Sequence, residues 1–138
     1  MATCFGIGYL RPAPGTLGTL FGLILVYALR LEGIARLFFG GLLIVIAIWS
    51  SEVFSKKSGE KDPQSVVIDE VAGVYMCFLL VEPQVVNLAL GFFIFRALDM
   101  LKPFPIGLFE RLPGGFGIVL DDVVAGLISG AMLRFLID

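Results

Sequence analysis

Five acidic residues lie inside or beside apolar runs of this 138-residue chain. Four of them form two adjacent pairs, and the fifth lies in an Arg-x-x-Asp-x-x-Lys segment. The five are Asp69, Glu70, Asp99, Asp121 and Asp122. A carboxylate within a membrane helix costs roughly 2.5–3.5 kcal/mol, so each of these acids needs a compensating charge. Their number and pairing therefore predict a functional site.

Two basic residues flank the isolated acid. Arg96 and Lys102 lie three residues before and three residues after Asp99, so a helix would bring both toward its face. They can neutralise Asp99 but not all five acids. A divalent cation would compensate for the remaining negative charge. Because the chain has no histidine, the ligands would be oxygens, which suit Mg²⁺ or Mn²⁺ rather than zinc. The five acids are thus the candidate metal-binding and catalytic residues. The other interpretation is that they are solvated at the membrane interface and only complement helix dipoles.

Small residues and hydroxyls precede the first apolar run, in the segment Pro14-Gly15-Thr16 followed by Thr19. The N–H groups exposed at a helix N-terminus suit a phosphate. Thr16 and Thr19 are therefore candidate phosphate-binding residues, together with Arg96 and Lys102. An ordinary membrane helix with a glycine packing seam would also account for this segment.

The residues and motifs that the sequence lacks exclude several kinds of nucleophile. Without histidine, phosphohistidine chemistry, serine triads and His-bound zinc are excluded. Cys4 is followed by Arg11, one residue beyond the place that a cysteine phosphatase requires. The Asp-x-Asp of aspartyl-phosphate enzymes is also missing. A metal-activated water is the predicted nucleophile, and direct attack by an aspartate remains the alternative.

The elements that must position these residues are apolar runs. The chain is 58% hydrophobic, with a mean hydropathy of +0.97, whereas a soluble domain is nearer 45–50% apolar. Because the runs are apolar all round rather than alternating, barrel strands fit poorly. We predict an all-α, polytopic membrane helix bundle of about five helices with short loops, forming a single membrane-embedded domain over residues 1–138. The predicted helices cover about 16–31, 34–54, 65–81, 84–101 and 118–137, and the longest loops 55–64 and 103–117.

Two glycine pairs predict close helix contacts. Gly18-x-x-x-Gly22 and Gly126-x-x-x-Gly130 have the small-residue spacing that lets membrane helices approach each other.

Antiparallel helices would gather the candidate residues on one membrane face, where odd-numbered helices begin and even-numbered helices end. Seven of the ten Lys and Arg residues fall on this face and three on the other, which predicts a cytoplasmic orientation. The seven are Arg11, Lys56, Lys57, Lys61, Arg96, Lys102 and Arg111. No basic patch is interleaved with aromatics, so a nucleic-acid partner is not expected.

Four stretches together resemble the phosphatidylglycerophosphatase A family. They are FGIGYLRPAPGTLGTL (5–20), VIDEVAG (67–73), FRALDMLKPFPI (95–106) and GGFGIVLDDVVAG (114–126). The resemblance implies Mg²⁺-dependent hydrolysis of phosphatidylglycerophosphate to phosphatidylglycerol and phosphate by a multi-pass protein of the bacterial inner membrane. It also implies a phospholipid substrate and an active site that faces the cytoplasm.

The candidate residues fall on the family's motif positions. By this resemblance the five acids match its acidic positions, Arg96 and Lys102 its basic positions, and Thr16 and Thr19 its Pro-Gly-Thr motif. Two alternatives remain at this point. One is a small ion-coupled transporter, since intramembrane carboxylates also mark ion pathways. The other is a phosphatase or phosphotransferase that acts on another lipid phosphate. The oligomeric state is left open.

Overall fold

Residues 1–10, 13–61, 63 and 65–138 are described by a computed structural model. Within these ranges the ordered elements are helices, and no strand is present. The predicted all-α bundle is therefore confirmed. After a 3-10 turn at Ile7–Tyr9 come α1 (Pro14–Leu29), α2 (Gly33–Ser58), α3 (Ile68–Cys77), α4 (Val85–Leu101), the short α5 (Ile106–Phe109) and α6 (Gly114–Ile137).

Helix α3 lies at the centre of the bundle. It contacts α1, α2, α4 and α6, and every one of its residues except Glu70 is buried. Its ten residues span about 15 Å, which is half the ~30 Å hydrocarbon core of a bilayer. The prediction of a third helix over 65–81 was therefore too long. The chain turns after Phe78 ahead of Glu82-Pro83, and Val67 N–H and Ile68 N–H donate to the Ala2 carbonyl before the helix begins.

Helices α2 and α6 are long and apolar enough to cross a membrane. They have 26 and 24 residues, and α6 is much more buried within the bundle than α2. Large apolar side chains cover the outside, including Phe38 at 74% exposure and Phe135 at 85%. A soluble monomer rarely exposes so much continuous apolar surface, so the exterior fits a lipid environment.

Two predicted loops are shorter in the structure. Helix α2 continues to Ser58 and ends where Gly59 adopts a left-handed φ of 75°, a common way for a helix to stop. Helix α6 begins at Gly114, directly after Pro113, and α5 lies within the predicted 103–117 loop. Three residues used in the sequence analysis lie outside the described residues. They are Arg11, counted among the basic residues of the cytoplasmic face, and Asp62 and Gln64 of the predicted 55–64 loop.

The two glycine pairs pack against α3, as their spacing predicts. A Cβ added at Gly18 would lie 2.8 Å from Val67 Cβ, and one at Gly22 would overlap the Val74 side chain. On α6, a Cβ at Gly126 would overlap the carbonyl oxygen of Gly73. These contacts let α1 and α6 approach α3 closely enough for residues at the same end of the three helices to meet.

Candidate active site

One end of the bundle encloses a cavity of about 470 Å³. The first turns of α1 and α3, the last turn of α4 and a stretch of α6 surround it. All five candidate acids line the cavity, together with Arg96, Lys102 and Thr16. The described residues that line it are Ala13, Pro14, Gly15, Thr16, Pro63, Val66, Asp69, Glu70, Arg96, Asp99, Met100, Lys102, Asp121 and Asp122.

Two of the acids are ion-paired with the two cations. Arg96 Nη1 lies 2.5 Å from Asp99 Oδ2, one helical turn along α4. Lys102 Nζ lies 2.5 Å from Asp121 Oδ2 on α6, with Glu110 Oε1 at 3.4 Å. The sequence analysis expected Lys102 to turn toward Asp99. It does not, because Lys102 is the C-cap of α4 and has a left-handed backbone conformation (φ 45°). Its side chain therefore does not follow the helical spacing of α4 and lies toward α6.

The surroundings of Lys102 keep its ammonium charged. Burial alone would lower the pKa of Lys102, but the hydrogen bond and charge of Asp121, with the charges of Asp122 and Glu110, raise that pKa above its ordinary value. Lys102 therefore presents a fixed positive charge beside the cavity.

The other three acids form a cluster across α3 and α6. One carboxylate oxygen from each of Asp69, Glu70 and Asp122 lies within 4.8 Å of the other two. Asp69 and Asp122 are buried, and Glu70 Oε2 is buried with no hydrogen-bond partner among the described residues. Among the described residues, five carboxylates and two cations line the cavity, so these groups together carry three net negative charges when all are ionised. An oxygen-only, anionic cluster of this kind fits a hard divalent cation.

The first turn of α1 forms another part of the wall, next to Glu70. Its N-cap, Ala13, provides no side-chain acceptor, and Pro14 has no N–H. The N–H groups of Gly15 and Thr16 belong to the first helical turn, which has no intrahelical acceptors. A Cβ at Gly15 would lie 2.8 Å from Glu70 Oε1 and 3.4 Å from Arg96 Nη1 and Nη2. The helix N-terminus and the guanidinium therefore meet at one corner, where both favour an anion.

Similarity to known proteins indicates which protein family the chain belongs to. The sequence model described as "Phosphatidylglycerophosphatase A" matches residues 1–137. The chain belongs to the phosphatidylglycerophosphatase A family.

Curated relatives agree with this membership. A phosphatidylglycerophosphatase A of Haemophilus influenzae is 39% identical over 131 residues, covering 92% of this chain and 80% of the relative. One of Escherichia coli is 35% identical over 143 residues, covering 99% and 81%. A putative phosphatidylinositol-3-phosphatase of Bacteroides thetaiotaomicron is 35% identical over 138 residues, covering 94% and 86%. No solved structure matches the chain.

Membership of the phosphatidylglycerophosphatase A family decides between the classes of protein considered from the sequence. The chain is a phosphatase that acts on a phosphomonoester, as predicted. The ion-coupled transporter is set aside. The roles of the individual acids, of the two cations and of Thr16 stay predictions.

Thr19 is the one candidate that the structure does not bring to the cavity. The residue is fully buried, and its hydroxyl donates a hydrogen bond of 2.9 Å to the Gly15 carbonyl. Because Thr19 is one turn beyond Gly15, its side chain points back along α1 and supports the first turn. The structure thus places Thr19 outside the lining of the cavity, and its contact with phosphate stays a prediction.

Sequence reasoning missed the part played by the N-terminal segment. The Ala2 carbonyl accepts hydrogen bonds from the N–H groups of Val67 and Ile68, at 2.9 and 3.2 Å, at the start of α3. A Cβ at Gly8 would overlap the Ser65 carbonyl. The segment thus supports the residues that lead into Asp69 and Glu70. Main-chain bonds leave no residue-type signal, and only the Gly6-x-Gly8 spacing could have indicated this contact.

Cys4 lies in the same segment as a buried free thiol. Burial, with a further contribution from the Glu70 charge, raises the pKa of Cys4 to about 11. The thiol is therefore protonated at neutral pH and poorly nucleophilic, which agrees with the sequence argument against a cysteine phosphatase.

Proposed function

We propose that the protein hydrolyses phosphatidylglycerophosphate to phosphatidylglycerol and phosphate, with Mg²⁺ as cofactor, at the cytoplasmic face of a bacterial inner membrane. The observation that carries the proposal is the meeting of three groups in one cavity. These are the carboxylate cluster of Asp69, Glu70 and Asp122, the cations Arg96 and Lys102, and the N-terminus of α1. The names of the relatives from Haemophilus influenzae and Escherichia coli support the substrate.

The positive groups would bind the phosphomonoester. The guanidinium of Arg96, fixed by Asp99, and the N–H groups of Gly15 and Thr16 converge on one corner of the cavity. Charge-assisted hydrogen bonds from a guanidinium and from a helix N-terminus suit phosphate oxygens. Lys102, fixed by Asp121, adds a second cation. The two partly buried ion pairs therefore hold both cations in place before the substrate arrives, so little reorganisation is needed during the reaction.

The carboxylate cluster is the proposed metal site. Asp69, Glu70 and Asp122 would hold one or more divalent cations, and Mg²⁺ or Mn²⁺ suits oxygen ligands of this kind. When bound, such a cation would supply Lewis-acid polarisation of the phosphate and a more acidic water as nucleophile.

The bond changes are those of a phosphomonoester hydrolysis. The bond between phosphorus and the glycerol oxygen breaks, a bond between phosphorus and a water oxygen forms, and a water proton ends on the glycerol oxygen. A carboxylate of the Asp69–Glu70 pair would accept the proton as the water attacks. Glu70 Oε2 supports this role because it is buried with no hydrogen-bond partner among the described residues.

The position of the cavity supports a substrate held in a membrane. The cavity is at the ends of helices whose outer surfaces are apolar, so a lipid headgroup would reach it while its acyl chains stay among the helices. The excess of Lys and Arg on this face supports a cytoplasmic orientation.

A second substrate is favoured by one comparison. The relative from Bacteroides thetaiotaomicron is named a putative phosphatidylinositol-3-phosphatase. That protein is as similar to this chain as the Escherichia coli relative is. The same cation pair and carboxylate cluster would serve either phosphomonoester, so the headgroup beyond the phosphate must be tested directly.

The test measures phosphate release by the purified protein in detergent. The substrates are phosphatidylglycerophosphate, phosphatidylinositol 3-phosphate and phosphatidic acid, each with Mg²⁺ and with a chelator. We expect release from phosphatidylglycerophosphate to have the highest kcat/KM, to stop with the chelator and to return with Mg²⁺ or Mn²⁺. Faster hydrolysis of phosphatidylinositol 3-phosphate would overturn the substrate assignment, and release that persists without metal would overturn the cofactor.

A further inference from the structure

A second, wholly different cavity lies between α1 and α4. It is an open furrow of about 660 Å³ whose walls, within the described part of the chain, are apolar side chains from these two helices. We propose that this α1–α4 furrow binds an acyl chain of the substrate whose phosphate occupies the polar cavity. The inference rests on the proposed function and adds to it a binding site for the lipid tail.

On α1, the furrow and the polar cavity share one face of the helix. Leu20, Leu23, Ile24 and Tyr27 line the furrow, at the spacing of a single helical stripe. Thr16, four residues before Leu20, continues that stripe and lines the polar cavity. The surface that would contact phosphate therefore leads directly into the surface that would contact a hydrocarbon chain.

The same continuity holds on α4, which runs in the opposite direction. Val85, Ala89 and Phe92 line the furrow. Arg96, four residues after Phe92, lines the polar cavity and is paired with Asp99. The α1 wall thus passes from apolar to polar at Thr16, and the α4 wall passes from apolar to charged at Arg96, which is the change in polarity between the tail and the headgroup of a phospholipid.

The distance from the polar cavity to the far end of the furrow is close to the thickness of one leaflet. Thr16 to Tyr27 and Arg96 to Val85 are each eleven residues apart, or about 16 Å at the helical rise. Half of a ~30 Å hydrocarbon core is about 15 Å. A chain that starts at the polar cavity would therefore reach Tyr27 and Val85 near the middle of the bilayer.

The side chains that line the furrow differ in exposure, which separates the floor of the furrow from its sides. Leu23 is 8% exposed and forms the floor, whereas Ile24 and Phe93 are 65% and 69% exposed and stand at the sides. Apolar walls of this kind can line a hydrocarbon chain along its length. Each methylene packed there would gain van der Waals contacts with the protein and add to substrate binding without touching the reacting phosphate.

The test compares chain lengths in two matched tryptophan variants. Ala89→Trp fills the furrow. Ala131→Trp places the same side chain on the exposed face of α6, away from the furrow. Ala89 is ten residues from Asp99 and Ala131 is ten residues from Asp121, so the two lie at similar distances from the polar cavity. The substrates are dihexanoyl- and dipalmitoyl-phosphatidylglycerophosphate in mixed micelles.

We expect Ala89→Trp to raise the KM for the dipalmitoyl substrate at least about tenfold, since the acyl chain loses its van der Waals contacts with both walls of the furrow. Its kcat, and its KM for the dihexanoyl substrate, should stay within about twofold of the wild type. Ala131→Trp should leave the ratio of the two KM values unchanged. Two results would overturn the furrow as the site of the acyl chain. One is an unchanged ratio of the two KM values in Ala89→Trp. The other is an equal loss of kcat/KM on both substrates, in Ala89→Trp and in the smaller Ala89→Leu. Absence of release by the wild type from either substrate would instead reject the proposed function.

Discussion

At the scale of single residues, the candidate site divides into two kinds of carboxylate. Asp99 and Asp121 each fix a cation, whereas Asp69, Glu70 and Asp122 lie close enough together to share a metal ion. The types and spacing of these residues predict that they form one site. They do not predict which partner each takes, because the left-handed turn at Lys102 that sends it to Asp121 depends on how α4 meets α6.

Gly15 tests the corner where α1 meets Glu70 and Arg96. We expect Gly15→Ala to lower kcat/KM for phosphatidylglycerophosphate at least about tenfold, because the new Cβ would lie 2.8 Å from Glu70 Oε1 and displace it or the guanidinium. The unfolding temperature should not fall, since Ala favours a helix more than Gly does, by up to ~1 kcal/mol. Kinetics and thermal unfolding in detergent measure the two effects. Wild-type kcat/KM in this variant would show that the corner takes no part in catalysis.

At the scale of elements, the central helix is the feature that sequence reasoning described least well. Composition gives an apolar run over 65–81, but a membrane-spanning helix and a short buried helix have the same composition over such a length. Burial on all sides by α1, α2, α4 and α6 allows α3 to be only ten residues long. The starts of α1, α2 and α4 were easier to predict, since a proline or glycine lies at or near each, whereas α6 begins four residues before the predicted start at 118.

Gly126 tests the contact between α3 and α6 that brings Asp122 to Asp69 and Glu70. We expect Gly126→Ala to lower the free energy of unfolding by about 1–3 kcal/mol, as overpacking does, because its Cβ would overlap the Gly73 carbonyl. Phosphatase activity should fall with it. Gly41→Ala is the matched control, since a Cβ at Gly41 meets no atom within 4 Å. Equal stability of the two variants, by thermal unfolding in detergent, would contradict the α3–α6 contact.

At the scale of the whole molecule, charge and apolar surface are separated. The candidate active site lies at one end of the bundle, and α2 and α6 have the length and apolarity of membrane spans. The helical class and the convergence of the acids follow from hydrophobic patterning and antiparallel topology, both of which the sequence contains. The support of α3 by the Ala2 carbonyl depends on a main-chain contact between distant segments, and the burial of Thr19 depends on how α1 packs in the bundle, so patterning could not predict either.

Orientation in the membrane is tested by cysteine labelling. Glu60 and Glu32 are exposed, and they lie near opposite ends of α2. Native Cys4 and Cys77 are buried, so their background labelling should be low. With a membrane-impermeant reagent, we expect Glu60→Cys to react only from the cytoplasmic side and Glu32→Cys only from the other side. The reverse pattern would contradict the cytoplasmic site.

The central claim is that the cluster of Asp69, Glu70 and Asp122 holds the divalent cation on which phosphate release depends. It is tested most directly by Mg²⁺ titration of phosphate release from phosphatidylglycerophosphate in the wild type, Asp122→Asn and Asp138→Asn. Asp138 is an exposed acid at the far end of α6, paired with Arg134. We predict saturable activation by Mg²⁺ in the wild type and in Asp138→Asn, with at least a ~10²-fold loss of kcat in Asp122→Asn. Release by the wild type that is independent of Mg²⁺, or an Asp122→Asn titration that overlays the wild type, would contradict the claim.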